Sequence, residues 1–261
     1  MSGQWSDLAP RLASAVVMVA VGFGAIWVGG LVFNILVALA CGAMVWELSR
    51  MIDPESGDKA LQIGLMTSAM LLICSYISPF YILPFLLAPG LTGAARMPHM
   101  HGVYLGFAFV IALAGISLIS VRGNLGFGWM LWLISVVVVT DVAGYFAGKM
   151  LGGPKLWPRV SPKKTWSGTL AGWVGAGIVG ALFSSLAGAG AALILVSVLM
   201  SMTSQAGDIA ESALKRRTGV KDSSALIPGH GGVMDRFDGM LGAALFVLVA
   251  AAFFGFPVGL V

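Results

Sequence analysis

The run GVYLGFAFVIALAGISLISV, residues 102–121, holds twenty consecutive residues without a charge. A helix needs about 20 mostly apolar residues to cross the hydrocarbon core of a bilayer. Lipid offers no partner for an unpaired backbone amide, so such a run reads as a membrane-spanning helix. The same pattern recurs on both sides of it. Toward the N-terminus, apolar runs at 80–92, 61–77, 31–48 and 12–29 predict four more spans. Toward the C-terminus, runs at 127–148, 167–187, 190–207 and 239–258 predict another four. The expected fold is an all-α polytopic membrane helix bundle of about nine transmembrane helices. Gly29 and Gly30 separate the first two spans. The 80–92 run is short, and Pro84 and Pro89 are expected to interrupt it.

Composition agrees with this reading. Of 261 residues, 58% are hydrophobic and 10% charged, against roughly 25% charged in soluble domains. So few charges cannot cover a water-facing surface, which excludes a soluble enzyme, a disordered chain and a disulfide-rich secreted chain. One bundle uses the whole length as a single membrane domain. Residues 1–139 read as its transmembrane scaffold, and residues 140–261 hold most of the polar chemistry. Residues 1–10 are polar with no evident cleavage pattern, so the first run reads as a retained span. Cys41 and Cys74 lie in apolar runs and read as core residues.

Nine spans place the loops 49–60, 93–101, 149–166 and 208–238 on one side with the N-terminus. That side carries every Lys and Arg of the 15 except Arg122. The asymmetry predicts a cytoplasmic charged side and an outside C-terminus. The seventh span contains Gly168, Gly172, Gly175, Gly177 and Gly180, and small residues let helix backbones approach closely in lipid. They suit either a homodimer face or packing within the chain, and the second is favoured.

Ten of the 15 basic residues lie from Lys149 to Arg236, and six of the 11 acids from Asp141 to Asp238. Three clusters carry them. Asp141 and Tyr145, four apart, share a helix face near the inner end of the sixth span. A carboxylate at that depth is costly unless it faces a polar cavity or a cation. Next, Ser161, Lys163, Lys164 and Thr165 sit in a proline-stiffened turn, where lysines and hydroxyls suit phosphate oxygens or merely set topology. The third cluster runs from Asp208 to Asp238. Asp208, Glu211, Ser212 and Lys215 form one helical stripe, followed by Arg216, Lys221, Asp222, a Pro228-Gly229-His230-Gly231-Gly232 turn, then Asp235, Arg236 and Asp238. Carboxylates suit Mg²⁺, which keeps substrate phosphates as further ligands; cations suit phosphate. Together they suit a metal–polyphosphate complex at the membrane surface. His230 has three open readings: phosphate binding, proton donation or capping of its turn. His99 and His101 read as ordinary loop residues.

The third cluster resembles the signature of the phosphatidate cytidylyltransferase (CDP-diacylglycerol synthase) family. Ser212, Lys215, Arg216, Lys221, Asp222, Pro228, His230, Gly231, Gly232, Asp235, Arg236 and Asp238 keep all its spacings. Asp141, Tyr145, Gly148 and the 161–165 run also look like the family. Many members carry a glutamate where this chain has Ser167, so no role passes to that position. The resemblance implies transfer of CMP from CTP to phosphatidic acid with Mg²⁺, in the bacterial inner membrane. Expected partners are CTP, phosphatidic acid and the bilayer, with no nucleic acid. It implies Asp208 and Asp235 as cation ligands, with Asp222 and Asp238 as supporting or additional ones. Lys215, Arg216, Lys221 and Arg236 would neutralise pyrophosphate, and Lys163 and Lys164 would hold the triphosphate or the lipid headgroup. A CTP-dependent lipid or polyprenol kinase is the nearest alternative. A transporter would place its ionisable groups deeper, and a simple anionic-lipid binder leaves the acids unexplained.

Overall fold

A computed structural model describes residues 8–187 and 189–255. Residues 1–7 of the N-terminal segment and 256–258 of the last expected span lie outside the described residues. Contacts divide the chain into two compact units. One comprises the described residues up to Gly123 together with Thr218–Phe237. The other comprises Asn124–Arg217 with the described residues from Asp238 onward. The second unit begins at Asn124, and Thr218–Phe237 groups with the N-terminal helices.

The first unit contains α1 (Leu8–Val28), α2 (Gly30–Ile52), α3 (Gly57–Cys74), α4 (Ile82–Arg96) and α5 (His101–Ser120). The uncharged run that predicted a span is α5, which continues into a π-helical turn at Val121–Leu125. Prolines do not interrupt α4. Pro84 falls in its first turn, where the missing N–H costs nothing, and α4 continues past the buried Pro89 to Arg96. Helices α2 and α3 touch backbone to backbone: a Cβ on Gly64 would stand 2.7 Å from the Gly42 carbonyl. Cys41 and Cys74 are buried free thiols, as expected. Arg122 donates to the Ile26 (2.6 Å) and Trp27 (3.1 Å) carbonyls at the end of α1, neutralising carbonyls that a helix end leaves unpaired.

The second unit contains α6 (Phe127–Leu151), a hairpin of β1 (Lys155–Trp157) and β2 (Ser161–Thr165), then α7 (Trp166–Ala187) and most of α8 (Ala192–Thr218). Helix α9 (Met234–Phe254) starts in the first unit and enters the second at Asp238. The antiparallel hairpin, with Lys155 opposite Thr165, adds a small β element where the sequence predicted only a loop. Helix α8 is 27 residues long, or roughly 40 Å at 1.5 Å per residue. It carries Asp208, Glu211, Ser212 and Lys215 on helix past the expected end of that span. Seven of the nine helices among the described residues are long and apolar enough to cross a membrane. Helices α3 and α4, with 18 and 15 residues, are the shorter pair. The protein is a multi-pass, all-α membrane bundle.

The glycines of α7 are consumed within the chain. A Cβ on Gly168 would stand 2.5 Å from the Gly144 carbonyl, and one on Gly175 2.7 Å from Val139, both on α6. On the other flank, a Cβ on Gly180 would stand 2.8 Å from Ile194 of α8. The homodimer expectation therefore takes no support from this stripe. Gly168→Val should destabilise the protein by about 1–3 kcal/mol through overpacking, read as a lower thermal midpoint in detergent. A midpoint equal to that of the unsubstituted chain would count against this packing.

Candidate active site

The polar residues gather into two groups, one in each unit. In the second unit, the close approach of α6 and α7 sets Asp141 and Tyr145 across from β2 and the start of α7. A Cβ on Gly148 would stand 2.9 Å from Thr165 Oγ1. The result is a cavity of about 400 Å³ whose lining includes Asp141, Tyr145, Lys149, Lys163, Lys164 and Asp208. The Lys164 ammonium pairs with Asp208 Oδ2, and Ser212 Oγ donates to Asp208 Oδ1 at 3.3 Å. Lys215 pairs with Glu211 at 3.0 Å, one turn along the same helix. The expected stripe on α8 is thus one continuous polar face.

Asp238 joins this group because α8 and α9 meet at glycines. A side chain on Gly207 would collide with the Asp238 carbonyl, and one on Gly242 with the Thr203 carbonyl. Asp238 Oδ1 accepts from its neighbour Gly239 N at 2.7 Å, and its carboxyl lies within electrostatic reach of Asp208, Glu211 and Lys215. Asp141 lies within electrostatic reach of Asp208, Asp238 and Lys164. With the Lys164 ammonium already against Asp208, these side chains offer oxygen donors, as Mg²⁺ requires.

In the first unit, Thr218–Phe237 folds against α1 and α2. The Ile227 N–H donates to the Gly231 carbonyl at 2.8 Å and the His230 N–H to the Ile227 carbonyl at 2.9 Å, closing the predicted tight turn. Gly231 has φ +83°, which L side chains resist, and a Cβ there would press on Asp235. Ser14 Oγ of α1 lies 2.8 Å from His230 Nδ1 and 3.0 Å from the Pro228 carbonyl. Arg11, Lys221, Asp222, His230 and Arg236 are among the residues lining a cavity of about 670 Å³. Its cations outnumber its single carboxylate, so it suits a polyanion.

Of the expected ligands, Asp208 is on α8, Asp222 is in the loop that follows it, and Asp235 is in the first turn of α9. Among the described residues no three carboxylate, histidine or cysteine side chains gather as a ready metal site. Asp235 Oδ2 accepts from Ser223 N (2.9 Å), Ser223 Oγ (3.0 Å) and Gly232 N (2.8 Å), and so holds the loop. Asp222 is exposed in the basic cavity. Arg216 is exposed at the end of α8 and lines neither of these cavities. Ser161 opens β2 opposite Trp157, outside the lining. Ser167 donates to the Gly152 carbonyl at 2.5 Å and ties the end of α6 to the start of α7.

Reading residues 1–139 as scaffold overlooked three side chains. Arg11 and Ser14 touch the signature turn, and Glu47 of α2 is fully buried against its loop. A lone carboxylate in an apolar span is a functional signal by itself, and Glu47 carried that signal in the sequence.

Fold and site together define a class: multi-pass membrane proteins that set carboxylates and lysines around a polar cavity. Residues 9–254 match the cytidylyltransferase family. A phosphatidate cytidylyltransferase of Brucella suis biovar 1 is 36% identical, covering 97% of this chain and 96% of that protein. One from Bacillus subtilis is 31% identical over 95% of this chain and 99% of its own length. One from Helicobacter pylori is 41% identical over 49% of each. The chain belongs to the cytidylyltransferase family.

Proposed function

We propose that this protein transfers CMP from CTP to phosphatidic acid, giving CDP-diacylglycerol and pyrophosphate, at the cytoplasmic face of the bacterial inner membrane. The observation that carries the reading is the second unit's cavity. Lys163, Lys164 and Asp208 line it, and Tyr145 stands 61% exposed beside the exposed Phe146 on an apolar helix long enough to cross a membrane. A charged headgroup on acyl chains suits such a place better than a free solute does. The relatives that match nearly the full length carry the name of this activity. The basic cavity of the first unit suits the triphosphate.

A phosphate oxygen of phosphatidic acid attacks the α-phosphorus of CTP; the bond to the bridging oxygen breaks, and pyrophosphate leaves with that electron pair. The nucleophile is already anionic, so no protein nucleophile is needed and catalysis reduces to positioning and charge neutralisation. Lys163 and Lys164 hold the lipid phosphate. Lys221, Arg236 and Arg11 hold the β- and γ-phosphates and stabilise them as they depart, with His230 fixed at its Nδ1 by Ser14. Lys215 keeps Glu211 in place beside Asp238. Asp208 and Asp238, with Asp141 in reach, would hold Mg²⁺, which supplies Lewis-acid stabilisation of phosphate charge. Asp222 and Asp235 act from the loop, Asp235 as its staple.

CTP labelled at the α- or the γ-phosphate, incubated with purified protein, Mg²⁺ and phosphatidic acid, tests this. Alpha label in the lipid phase with pyrophosphate in solution is expected. Gamma label in the lipid would instead make the protein a CTP-dependent kinase.

A further inference from the structure

Glu47 lies near the C-terminal end of an apolar 23-residue helix, five residues before Ile52, and has no exposed surface. A buried carboxylate is strongly unfavourable unless hydrogen bonds compensate it. Four do. Oε1 accepts from Ser224 Oγ (2.6 Å) and Val233 N (2.8 Å); Oε2 accepts from Ser223 Oγ (3.1 Å) and Met234 N (2.7 Å). All four donors belong to the signature loop and the first residue of α9. The one Ser223 hydroxyl proton is shared with Asp235 Oδ2 at 3.0 Å, so the loop is held from two sides, by the scaffold and by α9. Gly232 is obligatory for the same reason: a Cβ there would collide with Ser223 Oγ and the Glu47 carboxylate. The second glycine of the His-Gly-Gly turn is thus required by a residue outside the motif.

The loop that Glu47 holds presents Lys221 and His230 to the basic cavity. We propose that Glu47 is a positioning residue for nucleotide binding: it sets the place of these side chains without touching the nucleotide. The proposal rests on the reading that this cavity takes the triphosphate. It makes a specific demand on chemistry. Each Glu47 oxygen accepts one backbone N–H, so either orientation of a glutamine sets an NH₂ against an N–H donor. Aspartate, although shorter, keeps two equivalent acceptors. Gln should therefore be the worse substitute.

Full-length protein in lipid nanodiscs, compared as wild type, Glu47→Gln and Glu47→Asp, tests this. The readouts are KM for CTP, KM for phosphatidic acid, thermal midpoint, and direct binding of inorganic pyrophosphate. Glu47→Gln should raise KM for CTP and weaken pyrophosphate binding by about tenfold or more, with KM for phosphatidic acid within about twofold. Glu47→Asp should recover part of the loss. A fall in kcat with KM for CTP unmoved would reduce Glu47 to a folding role and overturn the proposal; so would Gln equal to wild type. If Glu47→Gln does not fold, Ser224→Ala decides, since it removes one bond of four. It should raise the same KM about threefold, and an unchanged KM overturns the proposal. Wild type that transfers label but binds no pyrophosphate overturns this inference and leaves the proposed reaction standing. Wild type that binds pyrophosphate, with Glu47→Gln weakened, but transfers no label leaves the inference and removes the reaction.

Discussion

Asp208→Asn is expected to lower turnover about a thousandfold, the scale on which preorganised charge at a phosphoryl centre acts, while the protein stays folded in membranes. Asparagine has the same shape, and its carbonyl oxygen still accepts from Ser212, 3.3 Å away in the native site. What it loses is the charge that faces Lys164 and lies within reach of Asp141 and Asp238. Released from Asp208, the Lys164 ammonium turns toward the remaining carboxylates and competes with a divalent cation for them. Initial rates of α-label transfer across a Mg²⁺ titration check this. The expected result is a collapse of the maximal rate together with a need for more Mg²⁺. Residual activity above about a tenth of wild type, less than a 1.4 kcal/mol effect, would remove Asp208 from the cation site.

Asp235 separates two assignments that the signature alone leaves merged. As a cation ligand, it should tolerate neither Asn nor Ala. As the loop staple seen in the structure, it should tolerate Asn, whose oxygen can still accept from Ser223 N and Gly232 N. Alanine would leave both buried N–H groups without that acceptor, at about 1–3 kcal/mol each. The expected order is therefore a loss of CTP efficiency of a hundredfold or more for Asp235→Ala, and about tenfold or less for Asp235→Asn. The measurement is kcat/KM for CTP in both variants at saturating phosphatidic acid. Asn as inactive as Ala would restore the ligand role that the family resemblance implied.

Much of this molecule was legible in the sequence because lipid is a strict solvent. Apolar length alone marks a span, and the 102–121 run reappears as α5 within a residue or two. The stripe from Asp208 to Lys215 was legible because helical spacing puts i and i+4 side by side, and the structure pairs Asp208 with Ser212 and Glu211 with Lys215. The hairpin of β1 and β2 was not legible: a register over so few residues depends on its pairing partner, and Pro162 and two lysines hide it. Nor was the passage of α4 through Pro89, because packing around a helix outweighs one missing hydrogen bond.

Sequence by itself determined the membrane environment, the all-helical class, the clustering of charge after residue 140 and the membership that the spaced motif implies. These are properties of single segments, set by hydropathy and local periodicity. Only the tertiary structure decided which acids share a neighbourhood. Asp141, Asp208 and Asp238 lie on three helices and come within electrostatic reach of one another where Gly144, Gly207 and Gly242 let backbones touch. Asp235, three residues before Asp238, is drawn to Ser223 and Gly232 and holds a loop. Glu47, 176 residues before Ser223, acquires its purpose from four donors brought to it by folding. A carboxylate's work is set by the donors and charges within a few ångströms of it, and chain order does not record who those neighbours will be.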